Sequence, residues 1–259
     1  MNILEQFRLD GKVAIVTGGA MGLGQAMATA LAQAGADIVI ADIQEDVAQA
    51  TATTIRETEG VQATSLKVDV TNPDDVQKMV DDVVDEFGKI DILINNAGMT
   101  INAKAEEMTY EQWNKVINLN LNGVFLVAQA VGRQMIKQGH GNIINTSSMS
   151  GLIANKPQEQ CSYNASKAGA IMLTKSLAME WSKYNIKVNT IAPGYMKTEL
   201  TKPFFEKGGA MIDDWMGFTP MGRPGLPEEL GGIVVYLASD ASSFAQGSVF
   251  TIDGGYTAL

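Results

Sequence analysis

A tyrosine and a lysine four residues apart, Tyr163 and Lys167, are the first candidates for chemistry. They fall in a segment with helical spacing, so their side chains share one face of a helix. A phenol titrates near pH 10, and each unit of depression of its pKa needs about 1.4 kcal/mol of preference for the phenolate. A neighbouring ammonium supplies such a preference. The pair predicts proton transfer to or from a substrate oxygen, although this spacing also occurs by chance on many helices.

A glycine-rich turn over residues 17–24 follows the first strand-like segment and precedes a helical pattern. Glycines let the backbone turn tightly, and the next helix presents free N–H groups and a positive dipole end to a pyrophosphate. The spacing G-x-x-x-G-x-G is a variant of the dinucleotide fingerprint, although strand-to-helix turns also use glycine without any ligand. The cofactor contacts predicted here are Gly18, Met21, Gly22, Leu23 and Gly24.

Asp42 ends the second strand-like segment, roughly 20 residues after the turn, where an acid can accept hydrogen bonds from an adenosine ribose. A 2′-phosphate about 4 Å from this carboxylate would meet repulsion of roughly 4 kcal/mol per pair of unit charges at an effective dielectric near 20. Residues 19–21 and 43–46 contain no lysine or arginine to offset it. Asp42 predicts NAD as the cofactor; the alternative is an ordinary solvated acid at a strand end.

Strand-like and helix-like segments alternate along the chain and define the frame for these residues. Short, mostly apolar runs indicate strands covered on both faces, at Val13–Val16, Asp37–Ala41, Ala63–Val68, Ile90–Ile94, Asn142–Asn145, Lys187–Ile191 and Ser248–Ile252. Segments with helical spacing lie between them, at Gly24–Gln33, Pro73–Phe87, Trp113–Met135, Ser166–Ser182 and Pro227–Leu237. The alternation predicts an α/β fold, a doubly wound parallel sheet of about seven strands with helices on both faces, in one domain over residues 1–259.

One stretch departs from this alternation, at about residues 198–226, where glycines and prolines interrupt a series of aromatic residues and methionines. We interpret it as a mobile substrate lid; a loop that packs over a core edge or a subunit interface is the alternative.

Capping residues mark both ends of one helix. Asn72 and Pro73 can cap and start one helix, and Gly88 follows the point where that helix should stop.

Composition excludes several classes of function. The single cysteine, Cys161, excludes an internal disulfide, and with the single histidine, His140, it makes a zinc or iron–sulfur site a poor prediction, so we expect no metal. The 19 basic and 29 acidic residues give a formal charge of −10, which disfavours nucleic acid and anionic membranes as partners. The first residues lack the apolar run of a signal peptide, and we expect a cytoplasmic protein.

Further motifs accompany the turn and the Tyr163/Lys167 pair in a fixed order: Asp69, Asn95-Asn96-Ala97-Gly98, Asn120-Leu121-Asn122-Gly123-Val124-Phe125, Ser147-Ser148, Pro193-Gly194 and Asp253-Gly254-Gly255. With them the chain resembles the short-chain dehydrogenases/reductases over essentially all of its 259 residues. The resemblance implies a Rossmann-type fold, a nicotinamide cofactor, and a homotetramer with contacts through long helices and the C-terminal segment.

The resemblance also implies roles for the matching catalytic residues. Tyr163 would be the proton donor and acceptor, and Lys167 would hold the nicotinamide ribose and tune Tyr163. A serine would hydrogen-bond the substrate oxygen. Ser148 aligns best for that role, with Ser147 and Ser150 as less favoured substitutes.

Asn120 would anchor a water chain between Lys167 and solvent, or serve only as a buried polar group of its helix. The other cofactor contacts implied by the resemblance are Asp69 and Val70 near the adenine, Asn96 with Ala97 and Gly98 on the adenosine side, and Pro193, Gly194 and Thr198 near the nicotinamide. Asn96 alternatively ties neighbouring strands together.

The loop between Ser148 and Tyr163 is about two residues longer than the family usually shows. It is similar to loops of members that oxidise polyols or reduce ketoses and keto sugar acids. Its polar residues could hydrogen-bond several substrate hydroxyls or could simply face solvent; they are Asn155, Lys156, Gln158, Glu159 and Gln160. We expect an NAD-dependent oxidoreductase that acts on such a small hydroxylated substrate.

Two alternative functions remain at this point. A reductase for a 3-oxoacyl thioester or a steroid-like ketone would keep the same catalytic group, although an acyl carrier would favour a basic docking patch, which the charge of −10 disfavours. A non-catalytic NAD-binding sensor or scaffold could lose Tyr163 or Lys167 without harm, yet both are present.

Overall fold

The protein is described by a computed structural model over residues 2–199 and 201–258. Its strands are β1 Val13–Thr17, β2 Asp37–Asp42, β3 Ala63–Lys67, β4 Ile92–Asn95, β5 Gly141–Thr146, β6 Ile186–Pro193 and β7 Val249–Ile252. They form one seven-stranded sheet in the order β3-β2-β1-β4-β5-β6-β7, and every neighbouring pair is parallel. The predicted doubly wound parallel sheet is confirmed.

Helices connect the strands, as parallel pairing requires. Their bounds are α1 Gly22–Gln33, α2 Glu45–Glu59, α3 Pro73–Phe87, α4 Tyr110–Ile117, α5 Val124–Gln138, α6 Cys161–Trp181, α7 Lys202–Lys207, α8 Ala210–Gly217 and α9 Gly231–Ala238. Within the described residues, no helix is long and apolar enough to cross a membrane.

The apolar core forms two layers, one on each face of the sheet. Alternate residues of a strand point to opposite faces. On β2, Ile38 and Ile40 belong to the layer that contains α1 and α9. Val39 and Ala41 belong to the layer of α3, α5 and α6. Because both faces are covered, the strands consist of nearly continuous apolar runs, as the sequence predicted.

Helix α3 begins and ends where the sequence predicted. Asn72 Oδ1 accepts a hydrogen bond from the Asp74 amide at 2.9 Å, and Pro73 occupies the first helical position. Gly88 then adopts φ 78°, a left-handed conformation that suits glycine at a helix end. Local capping chemistry is sufficient to set both bounds.

Other predicted helices differ in extent. The predicted helix over 113–135 is α4 and α5 joined by a π-helical turn, Asn118–Gly123. The predicted helix over 166–182 starts earlier, at Cys161, so Tyr163 lies in its first turn. The predicted helix over 227–237 begins with a short 3-10 turn, Pro227–Leu230, before α9.

The predicted lid over 198–226 contains two short helices, α7 and α8; residue 200 lies outside the described residues. The segment is closed at its base, where the Lys197 amide donates to the Gly225 carbonyl at 2.8 Å. The glycines and prolines that suggested irregular structure lie mainly between and beyond these helices. The described residues of this segment therefore form two short helices after β6, and its two ends lie next to each other.

Candidate active site

A cavity of about 780 Å³ lies at the carboxyl ends of the strands, near the point where the strand order reverses between β1 and β4. This is the usual ligand position in an open parallel sheet. Fourteen of the residues predicted as site residues line it: Gly18, Met21, Gly22, Leu23, Asp42, Asp69, Val70, Asn96, Ser148, Tyr163, Lys167, Pro193, Gly194 and Thr198. Gly24 and Asn120 lie behind its wall.

The glycine turn fits the pyrophosphate of a dinucleotide. A Cβ at Gly18 would lie 2.9 Å from Cα of Ala97, and a Cβ at Gly24 would lie 2.1 Å from the Gly18 carbonyl oxygen, so glycine is required at both positions. Met21 precedes α1 without a side-chain cap. The first N–H groups of the helix are therefore available to an anionic ligand.

Asp42 is fixed against this turn at the end of β2. Its Oδ2 accepts a hydrogen bond from the Ala20 amide at 3.1 Å, and its Oδ1 accepts one from the Gln44 amide at 3.0 Å. Thr51 reinforces the arrangement by donating to the Ala20 carbonyl at 2.7 Å. Among the described residues, no lysine or arginine pairs with Asp42, so its negative charge at the cavity wall is not neutralised.

Asp69 and Asn96 shape the next part of the wall. Asp69 Oδ1 accepts hydrogen bonds from the Thr71 amide at 2.9 Å and the Thr71 hydroxyl at 2.7 Å, which closes the loop after β3 around Val70. Asn96 Nδ2 lies 3.1 Å from the Gly18 carbonyl oxygen and donates to it. Asn96 thus ties β4 to the glycine turn, which supports the structural alternative without removing the residue from the cavity wall.

Three further predicted residues close the cavity at the end of β6. The Gly194 amide donates to the Ile252 carbonyl at 2.9 Å, and a Cβ at Gly194 would lie 2.7 Å from Cα of Asp253, so the segment after Pro193 lies directly against the end of β7. Thr198 approaches Gly22 across the cavity, within 3.8 Å of where a Cβ would stand.

Tyr163 and Lys167 share one face of α6, as predicted. The Lys167 Nζ lies 5.6 Å from the centroid of the Tyr163 ring and donates to the Thr146 carbonyl at 2.8 Å. Lys167 is buried, and burial lowers its pKa to about 8. The pair and the end of β5 therefore form one side of the cavity.

The pKa of Tyr163 differs from the sequence-based expectation. Loss of water around the phenol raises this pKa, and a hydrogen bond from Ser148 lowers it by less. The ammonium of Lys167 does not offset the cost of burying a phenolate, because it stands beside the ring and is itself held by the Thr146 carbonyl. Within the protein alone, burial is the dominant effect on both groups.

The three candidate serines have different partners. Ser147 donates to the Lys167 carbonyl at 2.8 Å and thereby fixes α6. Ser150 donates to Asn155 Oδ1 at 2.8 Å. Ser148 Oγ accepts a hydrogen bond from the Ser150 amide at 3.1 Å and contacts the Tyr163 phenol. All three serines line the cavity, and among the three it is Ser148 whose hydroxyl contacts the Tyr163 phenol.

Asn120 lies in the π-helical turn and is fully buried. Its Oδ1 accepts a hydrogen bond from the Met99 amide at 2.9 Å, and its Nδ2 donates to the Met99 carbonyl at 2.8 Å and to Ser166 Oγ at 3.1 Å. Hydrophobic spacing does not reveal such a turn, although interruptions of this kind are frequent at functional sites. The side chain joins the loop after β4 to α6.

An aromatic pair, Tyr195 and Trp215, lines the end of the cavity beside the long loop before α6, which we name the substrate end. Trp215 belongs to the aromatic series of the predicted lid, whereas Tyr195 was not identified from the sequence. The rings stack with centroids 4.1 Å apart and planes 11° from parallel. Trp215 Nε1 donates to Gln158 Oε1 at 2.9 Å, so the long loop before α6 is joined to α8. Tyr195 directly follows the Pro193-Gly194 motif, which was the available signal in the sequence.

The polar loop residues do not behave as a single group. Asn155 and Gln160 are buried and line the cavity, and Gln158 contacts the aromatic pair. Lys156 and Glu159 are exposed. The expected role in binding hydroxyls therefore applies to the side chains that line the cavity, and the solvent-facing alternative applies to Lys156 and Glu159.

Comparison with known sequences places the chain among oxidoreductases. A protein-family model described as "Enoyl-(Acyl carrier protein) reductase" matches residues 18–257. The chain is 45% identical to a sorbose reductase of Candida albicans, over 99% of this chain and 90% of that one. It is 41% identical to an NAD-dependent glycerol dehydrogenase of Listeria innocua, over 98% and 96% of the two chains. It is also 41% identical to a 3-oxoacyl-[acyl-carrier-protein] reductase of Thermotoga maritima, over 96% and 98%.

Solved structures agree with the observed fold. A short-chain type dehydrogenase/reductase from Mycobacterium marinum superposes with a TM-score of 0.95 at 42% identity, over the whole of both chains. A gluconate 5-dehydrogenase from Burkholderia cenocepacia, in complex with NADP and tartrate, superposes with a TM-score of 0.92 at 40% identity, again over the whole of both chains.

Proposed function

This chain belongs to the short-chain dehydrogenase/reductase family, and from that we propose that it interconverts a secondary alcohol and a ketone on a polyol, ketose or keto sugar acid, with NAD as the preferred cofactor. The observation that carries the proposal is the grouping of Ser148, Tyr163 and Lys167 on one wall of the cavity that the glycine turn borders. A non-catalytic sensor would not need this grouping.

The residues that would hold the cofactor run along the cavity from the glycine turn to Lys167. The turn and the first N–H groups of α1 would bind the pyrophosphate, and Asp42 would bind the adenosine ribose. Asp69, Val70 and Asn96 would enclose the adenosine, and the segment from Pro193 to Thr198 would contact the nicotinamide. When bound, the nicotinamide accepts hydride from the alcohol or supplies it to the ketone.

Tyr163 exchanges the proton with the substrate oxygen. The raised pKa keeps the phenol protonated at neutral pH in the protein alone, so it is ready to donate to a ketone oxygen. In the oxidising direction, the positive charge of a bound oxidised nicotinamide would add to that of the Lys167 ammonium, and the two together would stabilise the phenolate that takes the alcohol proton. Ser148 holds the same oxygen by a hydrogen bond, and Lys167 positions the ribose and supplies the ammonium.

The preference for NAD rests on Asp42. Its carboxylate is held in place by two backbone amides and has no basic partner among the described residues, so it repels a 2′-phosphate. The glycerol dehydrogenase of Listeria innocua is described as NAD-dependent, whereas the Burkholderia structure contains NADP. Relatives of similar identity thus differ in cofactor. For this protein, the charge of Asp42 is the physical reason to propose NAD over NADP.

Two observations support a hydroxylated substrate. The substrate end of the cavity has buried amides beside an aromatic pair, a combination suited to hydroxyl groups on a carbon chain. The sorbose reductase, the glycerol dehydrogenase and the gluconate 5-dehydrogenase are described as acting on such compounds. We propose the segment over 198–226 as the lid that covers this end.

A 3-oxoacyl-thioester reductase is the second candidate, favoured by the Thermotoga maritima relative and by the description of the family model. It requires the same catalytic residues, so only the substrate end distinguishes the two. The formal charge of −10 disfavours docking of an acidic acyl carrier.

We propose a homotetramer in the cytoplasm as the working form. Apolar side chains on the outer faces of α5 and α6 support self-association, namely Phe125, Met172 and Met179. These helices are the long ones through which the family resemblance implies subunit contacts.

The deciding experiment follows the absorbance of reduced nicotinamide while NAD and NADP are offered separately with mannitol, glycerol, gluconate and 2-butanol, and in reverse with acetoacetyl-CoA. We expect turnover of a polyol or sugar acid with NAD. Tyr163→Phe should lower turnover by about 10²-fold or more while cofactor binding is retained. Reduction of acetoacetyl-CoA alone would favour the second candidate, and normal turnover by Tyr163→Phe would exclude the mechanism.

A further inference from the structure

The Gln160 side chain is largely buried, with an exposed fraction of 6%. It immediately precedes α6, so it lies one helical turn before Tyr163 on the same side of the helix. Ser150 connects it to the other side of the site, because the Ser150 amide donates to Ser148 Oγ at 3.1 Å. Gln160 also lines the cavity.

The nitrogen of this amide has more acceptors than it can serve. Gln160 Nε2 lies 3.1 Å from Asn155 Oδ1, 3.0 Å from Asn164 Oδ1 and 3.2 Å from Ser150 Oγ. Exchanging the nitrogen and oxygen of Gln160 would place an acceptor against two carbonyl oxygens. The orientation of the amide is therefore set by its neighbours.

Asn155 is held in turn, which makes this orientation firm. Its Nδ2 donates to the Tyr195 hydroxyl at 2.8 Å, and its Oδ1 accepts from Ser150 Oγ at 2.8 Å. Tyr195 is stacked on Trp215. Both the nitrogen and the oxygen of the Asn155 amide, which the Gln160 amide contacts, therefore already have partners.

The oxygen of the Gln160 amide, Oε1, differs from the nitrogen because it lacks a partner within the described residues. Among residues 2–199 and 201–258, no donor forms a hydrogen bond with Gln160 Oε1. This oxygen is not one of the fully enclosed side-chain atoms, so it is open to a donor from a ligand in the cavity that Gln160 lines. The oxygen of Gln158 in the same loop differs, because it accepts a hydrogen bond from Trp215 Nε1 at 2.9 Å.

We propose that Gln160 determines substrate specificity by accepting, at Oε1, a hydrogen bond from a hydroxyl on the carbon next to the reacting carbon. The inference rests on the proposed alcohol–ketone function and adds the substrate class: vicinal diols and α-hydroxyketones. A carbonyl oxygen accepts from a hydroxyl and gains nothing from a methyl group. A substrate without the neighbouring hydroxyl leaves the oxygen without a donor.

The test compares two ketones of nearly equal size, hydroxyacetone and 2-butanone, in which a methyl group replaces the hydroxyl. The measured quantity is the ratio of their kcat/KM values in wild type and in Gln160→Met, which keeps the side-chain length and removes the acceptor. We expect the ratio to fall about tenfold, with the loss on hydroxyacetone. Comparing ratios cancels the different intrinsic reactivities of the two ketones and any general loss of active protein.

Gln158→Met is the matched control. It makes the same chemical change two residues away, at an amide whose oxygen is already bonded to Trp215. We expect it to affect both ketones alike and to leave the ratio within about twofold of wild type. A fall in the ratio as large as that of Gln160→Met would overturn the assignment to Gln160.

A second variant covers the case in which Gln160→Met does not fold. Gln160→Asn keeps a neutral amide but draws its oxygen back by one methylene, so the preference for hydroxyacetone should fall; an unchanged or higher ratio would contradict the proposal. Equal loss on both ketones in Gln160→Met would show a structural role only. Failure of wild type to turn over any alcohol or ketone would instead refute the proposed function, and the inference with it.

Discussion

Burial acts on Tyr163 and Lys167 in opposite directions, and both shifts favour the neutral form. The phenol holds its proton more tightly, whereas the ammonium releases its proton at about pH 8. The protein alone therefore does not contain a prepared phenolate. In the proposed mechanism, the base form of Tyr163 would need the positive charge of a bound oxidised nicotinamide, and the protonated form is the resting one.

The shift of Lys167 has a consequence for stability. Its pKa is about 8 in the folded protein and near 10.4 in an unfolded chain, so between these values the unfolded chain binds more protons. The burial penalty is fully present below pH 8 and is relieved as the pH rises. Between about pH 8 and about pH 9.5, the free energy of unfolding should rise by about 1.5 kcal/mol relative to Lys167→Met. Denaturant titrations of both proteins across this range measure it; parallel profiles would contradict the assigned pKa.

Removing the charge at Asp42 should relax the choice of cofactor. Asp42→Asn keeps an oxygen for the Ala20 or Gln44 amide and removes the repulsion of a 2′-phosphate. We expect kcat/KM with NADP to rise about tenfold or more relative to kcat/KM with NAD. Asp37→Asn, at the opposite end of the same strand, is the control. If both variants keep the wild-type ratio, Asp42 does not select the cofactor.

The sequence contained most of the site at this scale because short motifs place backbone and side chain together. Glycines at 18 and 24 mark a close approach to other backbone, and Tyr163 and Lys167 share a helix face by spacing alone. Gln160 was noted only as a polar loop residue. Its importance depends on the partners of Asn155 and Asn164, which no local pattern encodes.

At the scale of elements, boundaries were predictable where capping chemistry sets them. Asn72 and Gly88 define α3 on both sides. The turn Asn118–Gly123 could not be predicted in this way, because its apolar spacing continues across the interruption between α4 and α5. Helices α7 and α8 were missed for the opposite reason, since glycine and proline residues around them dominate the local composition.

Asp91 joins the amino ends of three strands, away from the cavity. Its buried carboxylate accepts from the Val13 amide at 2.9 Å and pairs with Lys89 and His140, each at 3.0 Å. Burial opposes the ionised form, but these partners together hold the pKa of Asp91 below its usual value. This acid therefore links β1, β4 and the loop before β5.

Asp91→Asn should lower the free energy of unfolding by about 2 kcal/mol near neutral pH, because it weakens a set of charge-assisted hydrogen bonds. A depressed carboxyl pKa contributes stability above the unfolded value of about 3.9, and this contribution disappears as the pH falls through the folded value. The difference between wild type and variant should therefore shrink in acid. Asp81→Asn, at an exposed position of α3, should change stability by less than about 0.5 kcal/mol. Chemical denaturation at several pH values tests both, and a constant difference would refute this role.

For the whole molecule, the outer faces of α5 and α6 predict the assembly. Met172 is 60% exposed and Met179 is 83% exposed on α6, and Phe125 lies on the neighbouring helix. Light scattering after size-exclusion chromatography should give about four times the chain mass. Replacing both methionines by glutamate, Met172→Glu with Met179→Glu, should yield smaller species, because assembly would bury charges of the same sign at the subunit contact. The same two changes made at exposed Phe204 and Met221 should leave the mass unaltered, and a monomeric wild type would dismiss the tetramer.

The order of strands in the sheet has a consequence for how the protein is made. The glycine turn emerges from the ribosome early, but β1 must wait for β4 to pair on its second side, and the cavity wall also needs Trp215 and the end of β7. At about 5–20 residues per second, synthesis from the glycine turn to the end of β7 takes roughly ten to fifty seconds, and the cavity wall is incomplete throughout this interval. A nascent chain in this interval exposes apolar edges that attract chaperones, and it gains the ability to bind nucleotide only near completion of synthesis.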